Sequence, residues 1–432
     1  MSRRYGVALA LVILASAFFM QALSSGQETQ RDVRYYAQQA RKAYEEKNYA
    51  AYLENMRLAV ELRPGNPTLL YNLAGAYALN GNGLEALAGL KRVAEMGLIY
   101  QPESGDDFNS IRNTQEFKEL LKRFETNKAP IGRSSTAFTI HEKGLITEGV
   151  AYDSAEDIFY VSSVRARKIF KIGRDGAAKE FATERDGLWS AMGMKVDAKR
   201  RHLWVATAAV PQMTNYRKEE DGQSGILKFD LKTGKLIRKY TLPNNPRPHW
   251  LGDLLISSSG DVFVTDSLTP ALYVLREGSA QLEPLLEGVP FVSPQGLAFN
   301  ADESILFLAD YSKGLFIYEL KSKRLTPLSG APNVALLGID GLYFYKGSLI
   351  AIQNGTRPHR VVRISLSHDL KRVEGLEVIE ANNPLFDEPT LGVIVKDNFY
   401  YVADSQWGAV DKVGKLAPED KLRETIILKM KL

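Results

Sequence analysis

Residues 147–153, TEGVAYD, begin a unit that occurs six times along the chain. The later copies are AMGMKVD from Ala191, LGDLLIS from Leu251, PQGLAFN from Pro294, IDGLYFY from Ile339 and EPTLGVI from Glu388. About ten residues after each start comes an apolar, β-branched or aromatic run, such as IFYVSS or FYYVADS. A repeat of about 40 to 50 residues with several short strands is typical of a β-propeller. The sequence therefore predicts a mainly β fold, a six-bladed β-propeller, over residues 136–432.

Two strand-like segments lie outside the six units. TAFTIHE, from Thr136, precedes the first unit, and ETIILKMK, from Glu424, ends the chain. An unpaired strand at the edge of a sheet invites association with other chains. We therefore expect the N-terminal segment to form the outer strand of the sixth blade and to close the ring.

The region before the propeller has a helical composition. Residues 31–125 contain two units of about 34 residues, the repeat length of tetratricopeptide (TPR) helix pairs. The small residues Ala74 and Ala86 would let the two helices of the second unit approach closely. Two units are fewer than the three that a free-standing repeat array needs. We expect a small TPR-like domain packed on the propeller, followed by a linker at 126–135; a docking surface for a protein partner is the alternative.

The first 24 residues predict a secretory signal peptide. Arg3 and Arg4 precede an apolar stretch, and Ala22-Leu23-Ser24 forms a small-x-small cleavage site. The alternative is an uncleaved anchor, but the apolar stretch is shorter than the roughly 20 residues that span a bilayer. This pattern predicts a bacterial protein that is periplasmic or secreted, with no stable membrane insertion after cleavage.

Composition excludes several classes of function. The chain has no Cys, which removes disulfides, thiol catalysis and Cys-based zinc sites. The formal net charge is only +4, and no basic patch indicates a nucleic-acid partner. The remaining expectation is a small-molecule substrate or ligand at the propeller channel.

Side-chain oxygens recur at the start of the units, at or beside the leading Gly step. Glu148, Asp253, Gln295 and Asp340 occupy four of these six lead positions. Several carboxylates close to one axis repel each other unless a cation neutralises them. Three carboxylates and an amide oxygen suit a hard divalent metal, of which Ca²⁺ fits best, and the absence of His argues against zinc.

The motifs of the first, fourth and fifth units resemble those of the SMP-30/gluconolactonase family. These six-bladed propellers are related in fold to the paraoxonases, and the resemblance covers about residues 140–410. In that family the Glu of an EGP-like motif binds a divalent metal, and Glu148 in TEGVAYD matches it. Gln295 in PQGLAF stands where the family has the Asn of PNGL, and Asp340 in IDGLYF matches the Asp of its DG motif.

The third unit departs further from the family. Members often have an Asn-Asp pair there, which Gly252-Asp253 replaces in this chain. This chain therefore lacks the Asn of that pair and retains its Asp. The replacement at Gln295 adds a methylene to the Asn that the family uses as a ligand.

The resemblance implies metal-dependent hydrolysis of lactones or related esters. In such a reaction the metal polarises the carbonyl group, and a carboxylate or His activates water. Asp253 is the first candidate for the base, and His249 in RPHWLGD is a candidate proton shuttle. Asn354, Arg357 and His359 in NGTRPHR are candidates for substrate contacts from the rim. The loss of two Asn leaves a second hypothesis open, a non-catalytic propeller that binds a sugar, peptide or protein.

An Asp recurs after the second strand of three units, in VTDS, LADY and VADS. These residues are Asp266, Asp310 and Asp404. Recurrence at the same place in each repeat favours a structural role in the following turn rather than catalysis.

Overall fold

Six four-stranded antiparallel sheets and five α-helices make up the part of the protein that the computed structural model describes, residues 32–243, 246–288, 290–331 and 333–432. Each sheet is one blade, so the predicted six-bladed β-propeller with a helical region before it is confirmed. The predicted signal peptide, residues 1–24, lies outside the described residues. None of the described helices is long and apolar enough to cross a bilayer.

Blades one to five each use four consecutive strands. Blade one contains β2 (Thr147–Asp153), β3 (Ile158–Ser163), β4 (Lys168–Ile172) and β5 (Ala178–Ala182). Blade two contains β6 (Ser190–Asp197), β7 (His202–Ala208), β8 (Ser224–Asp230) and β9 (Leu236–Leu242). Blade three contains β10 (Leu251–Ile256), β11 (Val262–Asp266), β12 (Ala271–Leu275) and β13 (Glu283–Glu287). Blade four contains β14 (Pro294–Phe299), β15 (Ile305–Asp310), β16 (Gly314–Glu319) and β17 (Arg324–Pro327), and blade five contains β18 (Ile339–Tyr345), β19 (Ser348–Gln353), β20 (Arg360–Leu366) and β21 (Val373–Ala381).

Both ends of the propeller sequence meet in blade six. Its strands are β22 (Gly392–Val395), β23 (Asn398–Val402), β24 (Glu424–Lys431) and β1 (Ser135–Lys143), in that order from the axis outward. β1 pairs antiparallel with β24, with Thr139 opposite Ile426. The N-terminal strand thus covers the outer edge of β24 and closes the ring, as the sequence predicted.

A β-bulge interrupts the inner strand of each of the first five blades. The register shifts lie between Thr147 and Val150, Ala191 and Met194, Leu251 and Leu254, Pro294 and Leu297, and Ile339 and Leu342. A bulge re-aims the side chains beside it. Neighbouring inner strands also touch there: a Cβ on Gly296 would lie 2.4 Å from the carbonyl oxygen of Asp340. The recurring Gly step therefore allows the inner strands to converge on the axis.

The five helices precede this ring. They are α1 (Val33–Glu45), α2 (Tyr49–Leu62), α3 (Pro67–Leu79), α4 (Gly83–Glu95) and α5 (Gln115–Thr126). Asp32, Asn48, Asn66 and Thr114 each begin a helix by accepting a backbone hydrogen bond into the side chain. Ala74 and Ala86 are fully buried, which lets α3 and α4 approach closely.

The helical region packs against blades four and five. Arg360 of β20 is fully buried; its Nη1 donates to the carbonyl of Met96 (2.7 Å) and its Nε to Oε1 of Gln353 (2.8 Å). The backbone N–H of Ile99 donates to the carbonyl of Arg357 (2.8 Å). Ala335 of the propeller lies in the apolar core of the helices. The helices therefore form a cap on the ring.

Two of the three recurring Asp residues organise turns, as predicted. The carboxylate of Asp310 accepts four backbone N–H groups, and that of Asp266 accepts three. Asp404 differs, because its only close partner among the described side chains is Nη1 of Arg423, at 3.2 Å.

Candidate functional site

The bulged ends of the inner strands surround a cavity of about 300 Å³ on the axis of the ring. Its walls include Glu148, Met192, Trp250, Gly252, Asp253, Gln295, Tyr311, Asp340, Asn354, Glu388 and Trp407. We refer to it as the central cavity. It brings together the four predicted metal ligands and Asn354, whereas His249, Arg357 and His359 do not line it.

Glu148 is held in the wall by a tryptophan. Nε1 of Trp407 donates to Oε2 of Glu148 (2.8 Å), while Oε1 has no hydrogen-bond partner in the described part of the chain. Burial raises the pKa of Glu148 well above its usual value, and the charge of Asp340 raises it further. These surroundings therefore disfavour the ionised form of the Glu148 carboxyl group when no counter-ion is nearby.

Asp340 is held in the same manner by an amide. Nδ2 of Asn354 donates to Oδ2 of Asp340 (2.7 Å), and Oδ1 accepts no hydrogen bond from any described group. Burial raises the pKa of Asp340 to about 7; the Asn354 hydrogen bond opposes the rise and the charge of Glu388 adds to it. Oδ1 of Asn354 lies 3.0 Å from the hydroxyl oxygen of Tyr311, which fixes the amide.

Gln295 supplies a third oxygen. Its Nε2 donates to Oγ of Ser293 (3.1 Å), which leaves Oε1 without a partner among the described residues. Across the described ranges, no three His, Asp or Glu side chains alone form a group that could hold a metal. A bound ion would therefore need the amide oxygen and water besides the two carboxylates. One unpartnered oxygen on each of Glu148, Asp340 and Gln295 matches the oxygen ligands that hard divalent cations take.

The register of the bulge places Asp253 differently from the sequence expectation. Its bulge follows Leu251, as the bulge of β2 follows Thr147, so Gly252 occupies the position of Glu148. Asp253 takes the place that glycine holds in the other bulges. The lead position of blade three therefore carries no side-chain oxygen.

Asp253 lines the cavity from this deeper position. Nζ of Lys195 lies 3.2 Å from its Oδ1, which also accepts the backbone N–H of Leu254 (2.8 Å). Its Oδ2 is buried and has no hydrogen-bond partner among the described residues. A buried acceptor without a donor is costly, so this oxygen is suited to accept a proton or hydrogen bond from a ligand or water.

His249 does not reach the cavity. Its Nδ1 lies 2.5 Å from Oδ2 of Asp266 and its Nε2 lies 3.2 Å from the carbonyl of Pro243. Because both ring nitrogens are engaged and the side chain is buried, the ring ties a loop to the turn at Asp266. The structure gives no support to the predicted proton shuttle.

The last two predicted substrate contacts lie in a neighbouring cavity. Arg357 and His359 line a space of about 480 Å³ between the propeller and the helical region. Tyr100 lines it from the helical side, and Tyr311 and Asn354 line both cavities. The predicted contact set is therefore divided between two adjoining spaces.

Several residues of the central site lie outside the predicted set of catalytic, metal-binding and substrate-binding residues. The rings of Trp250 and Trp407 form an aromatic wall, with centroids 6.0 Å apart. Glu388, the first residue of the last unit, also lines the cavity. Lys195 is a charged residue between two apolar ones in the inner strand of blade two.

Comparison with known proteins finds structural similarity at low sequence identity. No family model matches the chain, and no curated protein matches its sequence. A gluconolactonase from Xanthomonas campestris is 14% identical, with 71% of this chain and 92% of that chain covered and a TM-score of 0.47. A calcium-binding protein, regucalcin, from Agrobacterium tumefaciens is 12% identical, with coverage of 68% and 93% and a TM-score of 0.48. Virginiamycin B lyase from Staphylococcus aureus is 14% identical, with coverage of 68% and 98% and a TM-score of 0.46.

Proposed function

We propose that the central cavity is a divalent-metal-dependent site, with Ca²⁺ as the preferred ion, that hydrolyses lactones or related esters. The proposal rests on the half-buried Glu148 and the buried Asp340, two carboxyl groups that line one cavity and each keep one oxygen without a hydrogen-bond partner among the described residues. Their raised pKa values reflect the cost of burying two neighbouring negative charges. A cation would remove that cost, and Gln295 would complete its protein ligands.

The surrounding residues have separable roles. A bound cation would supply Lewis-acid polarisation of the substrate carbonyl. Trp407 and Asn354 orient the two carboxylates through hydrogen bonds. Asp253 would accept the proton of the attacking water at Oδ2, while Lys195 holds its other oxygen in place. The tryptophan wall and the volume of about 300 Å³ favour a small substrate with an apolar face.

Thermal unfolding tests the metal site directly. We expect Ca²⁺ added after EDTA treatment to raise the melting temperature, since an ion that binds only the folded state stabilises it by about 2.7 kcal/mol at 100 times its Kd. Glu148→Gln and Asp340→Asn should abolish the rise, and the exposed Glu54→Gln should keep it. A wild-type protein that responds to no divalent ion would contradict the proposal.

A pair of tryptophan variants tests how the site is held together. Trp407→Phe removes the donor to Glu148 while keeping a ring, and should weaken metal binding roughly tenfold. Trp250→Phe is the matched control, because it alters the same aromatic wall without touching that hydrogen bond. Equal losses of metal affinity in the two variants would show that the aromatic wall, rather than the hydrogen bond from Trp407 to Glu148, supports metal binding.

Catalysis is tested separately from binding. A screen of lactones and esters should find a substrate whose turnover falls by about 10²- to 10⁴-fold in Asp253→Asn, with the calcium response retained.

The ion pair between Asp253 and Lys195 favours a second candidate, binding of a small ligand without hydrolysis. Metal-dependent ligand binding with no turnover of any lactone or ester would support that candidate.

Two further expectations belong to the same proposal. The signal-like pattern of residues 1–24 supports export to the periplasm or the outside of a bacterial cell. Mass spectrometry of the mature N-terminus would test cleavage after Ser24.

The TPR-like helices remain a candidate surface for a protein partner, which pull-down with the full chain would reveal.

A further inference from the structure

The cavity between the helical region and the propeller adjoins the central cavity. Thr68 and Tyr100 line it from the helical side, and Arg357 and His359 line it from the loop after β19. We refer to it as the interdomain cavity. Tyr311 and Asn354 line both spaces, so one ligand can extend from the first into the second.

The two cavities differ in charge. Glu148, Asp253, Asp340 and Glu388 line the central cavity, whereas no carboxylate lines the interdomain cavity within the described residues. Arg357 is exposed there, and its guanidinium group forms no ion pair with a carboxylate of the described chain. A guanidinium group that faces a polar cavity without a carboxylate is suited to a carboxylate or phosphate of a ligand.

Both the side chain and the backbone of Arg357 have defined partners. Its Nη1 donates to Nε2 of His359. Burial first and the Arg357 charge second lower the pKa of His359, which keeps the ring neutral and able to accept this bond. The backbone carbonyl of Arg357 accepts the N–H of Ile99 (2.8 Å), so the helical region fixes the same loop. Such preorganisation reduces the cost of binding.

The helical side supplies further polar groups. The hydroxyl oxygens of Tyr100 and Thr68 lie 3.4 Å apart, and the Tyr100 ring is fixed by stacking on Tyr71 with centroids 4.5 Å apart. Across the boundary, burial raises the pKa of Glu388 and the charge of Arg357 opposes that rise. Because Tyr311 and Asn354 line both cavities, one small molecule can contact Arg357 and the central cavity together.

We infer that the helical region and the loop containing Arg357 form an anion-binding compartment for a carboxylate or phosphate group on the ligand. The rest of that ligand, a small molecule, extends past Tyr311 and Asn354 into the central cavity. Assigning its other end as a lactone or ester rests on the proposed function. The compartment itself does not, because anion binding requires no hydrolysis.

Isothermal titration calorimetry with three matched probes tests this inference. Glucose is neutral, glucuronate carries a carboxylate and glucose 6-phosphate carries a phosphate on the same ring. We expect the full-length protein to bind one or both anions at least about tenfold more tightly than glucose, the size of a charge-assisted hydrogen bond. Preference for one anion over the other would identify which group the compartment takes.

Variants then locate the effect. Arg357→Gln should remove the preference for the anions, and Arg357→Lys should restore part of it by keeping the charge. Tyr100→Phe should weaken anion binding by about threefold if the helical wall contacts the ligand. Arg57→Gln, an exposed change on α2, is the control and should bind as wild type. Melting curves of each variant verify folding.

The outcomes separate this inference from the proposed hydrolysis. If the protein prefers the anions, the preference depends on Arg357 and no lactone is turned over, the anion-binding compartment is supported and the proposed hydrolysis is contradicted. Lactone turnover with no anion preference in any probe, or with a preference unchanged in Arg357→Gln, overturns the compartment alone. No detectable binding of either anion at 10 mM, taken as about the weakest useful affinity, also overturns it.

Discussion

Asp404 is a single buried carboxyl group whose surroundings oppose its charge. Burial and the nearby charge of Asp387 raise its pKa to about 6, and Arg423 only partly offsets this. The folded protein therefore binds this proton more tightly than the unfolded chain does. The resulting stability is fully present below the unfolded pKa near 4 and is lost as pH rises through about 6.

Asp404→Asn should consequently stabilise the protein at neutral pH. We expect a gain on the order of 2 kcal/mol in the free energy of unfolding at pH 7.5, shrinking toward zero near pH 4, since each pKa unit corresponds to about 1.4 kcal/mol. Urea unfolding over this pH range measures it. The surface variant Asp420→Asn is the control, and a gain in Asp404→Asn that does not vary with pH would refute the assignment.

The central site could be predicted in part from single residues. Glu148, Gln295 and Asp340 were found because each stands at the same place in its repeat and carries oxygen. Asp253 does not stand in the equivalent place, because the bulge after Leu251 puts Gly252, one residue earlier, in the lead position. A shift of one residue in a strand reverses which face a side chain occupies.

At the level of the element, the inner strands depend on glycine where they meet. A Cβ on Gly296 would lie 2.4 Å from the Asp340 carbonyl oxygen and 2.6 Å from the Leu342 nitrogen, both backbone atoms. Gly296→Ala should therefore force β14 and β18 apart and destabilise the protein by about 1–3 kcal/mol. The shift should also reduce any calcium response, because Gln295 and Asp340 flank the contact.

Gly375→Ala is the matched control for that change. It lies in β21, and a Cβ there would meet nothing within 4 Å. We expect its melting temperature to equal or slightly exceed that of the wild type. Equal melting temperatures for the Gly296 and Gly375 variants would mean that the blades have room to separate.

The strands were predictable because each unit repeats the same pattern of an apolar run after a Gly step. Blade six departs from that pattern. Its inner strand is only Gly392–Val395, because the preceding residues bond to blade one instead: Leu391 N–H and the Thr390 hydroxyl both donate to the carbonyl of Glu148. Bonds between blades leave no periodic trace in a sequence, so the short inner strand of blade six was not predictable.

At the scale of the whole molecule, Arg360 joins the helical region to the ring. Burial lowers its pKa to about 10, and its partners are the Met96 carbonyl and the Gln353 side chain. Arg360→Leu leaves both partners unpaired and should cost about 2–4 kcal/mol. Calorimetry should then resolve an earlier transition for the helices than for the propeller.

Arg324→Leu serves as the control for Arg360→Leu, since Arg324 is exposed on the outer strand of blade four. One cooperative transition in both variants would mean that the apolar contact around Ala335, rather than Arg360, unites the two parts.

The contacts between the helical region and the propeller could not be predicted in detail from the sequence. Arg360 and Met96 are separated by 264 positions, and no local pattern encodes a bond across that distance.

The pairing of β1 with β24 also affects how the protein can be made. On the ribosome, β1 emerges roughly 280 residues before its partner, an interval of about 15 to 55 s at ordinary rates of translation. Throughout that time the nascent chain carries an unpaired strand and an open ring. The propeller can be completed only after β24 has been synthesised, so a chaperone that shields the N-terminal strand would raise the yield of folded protein.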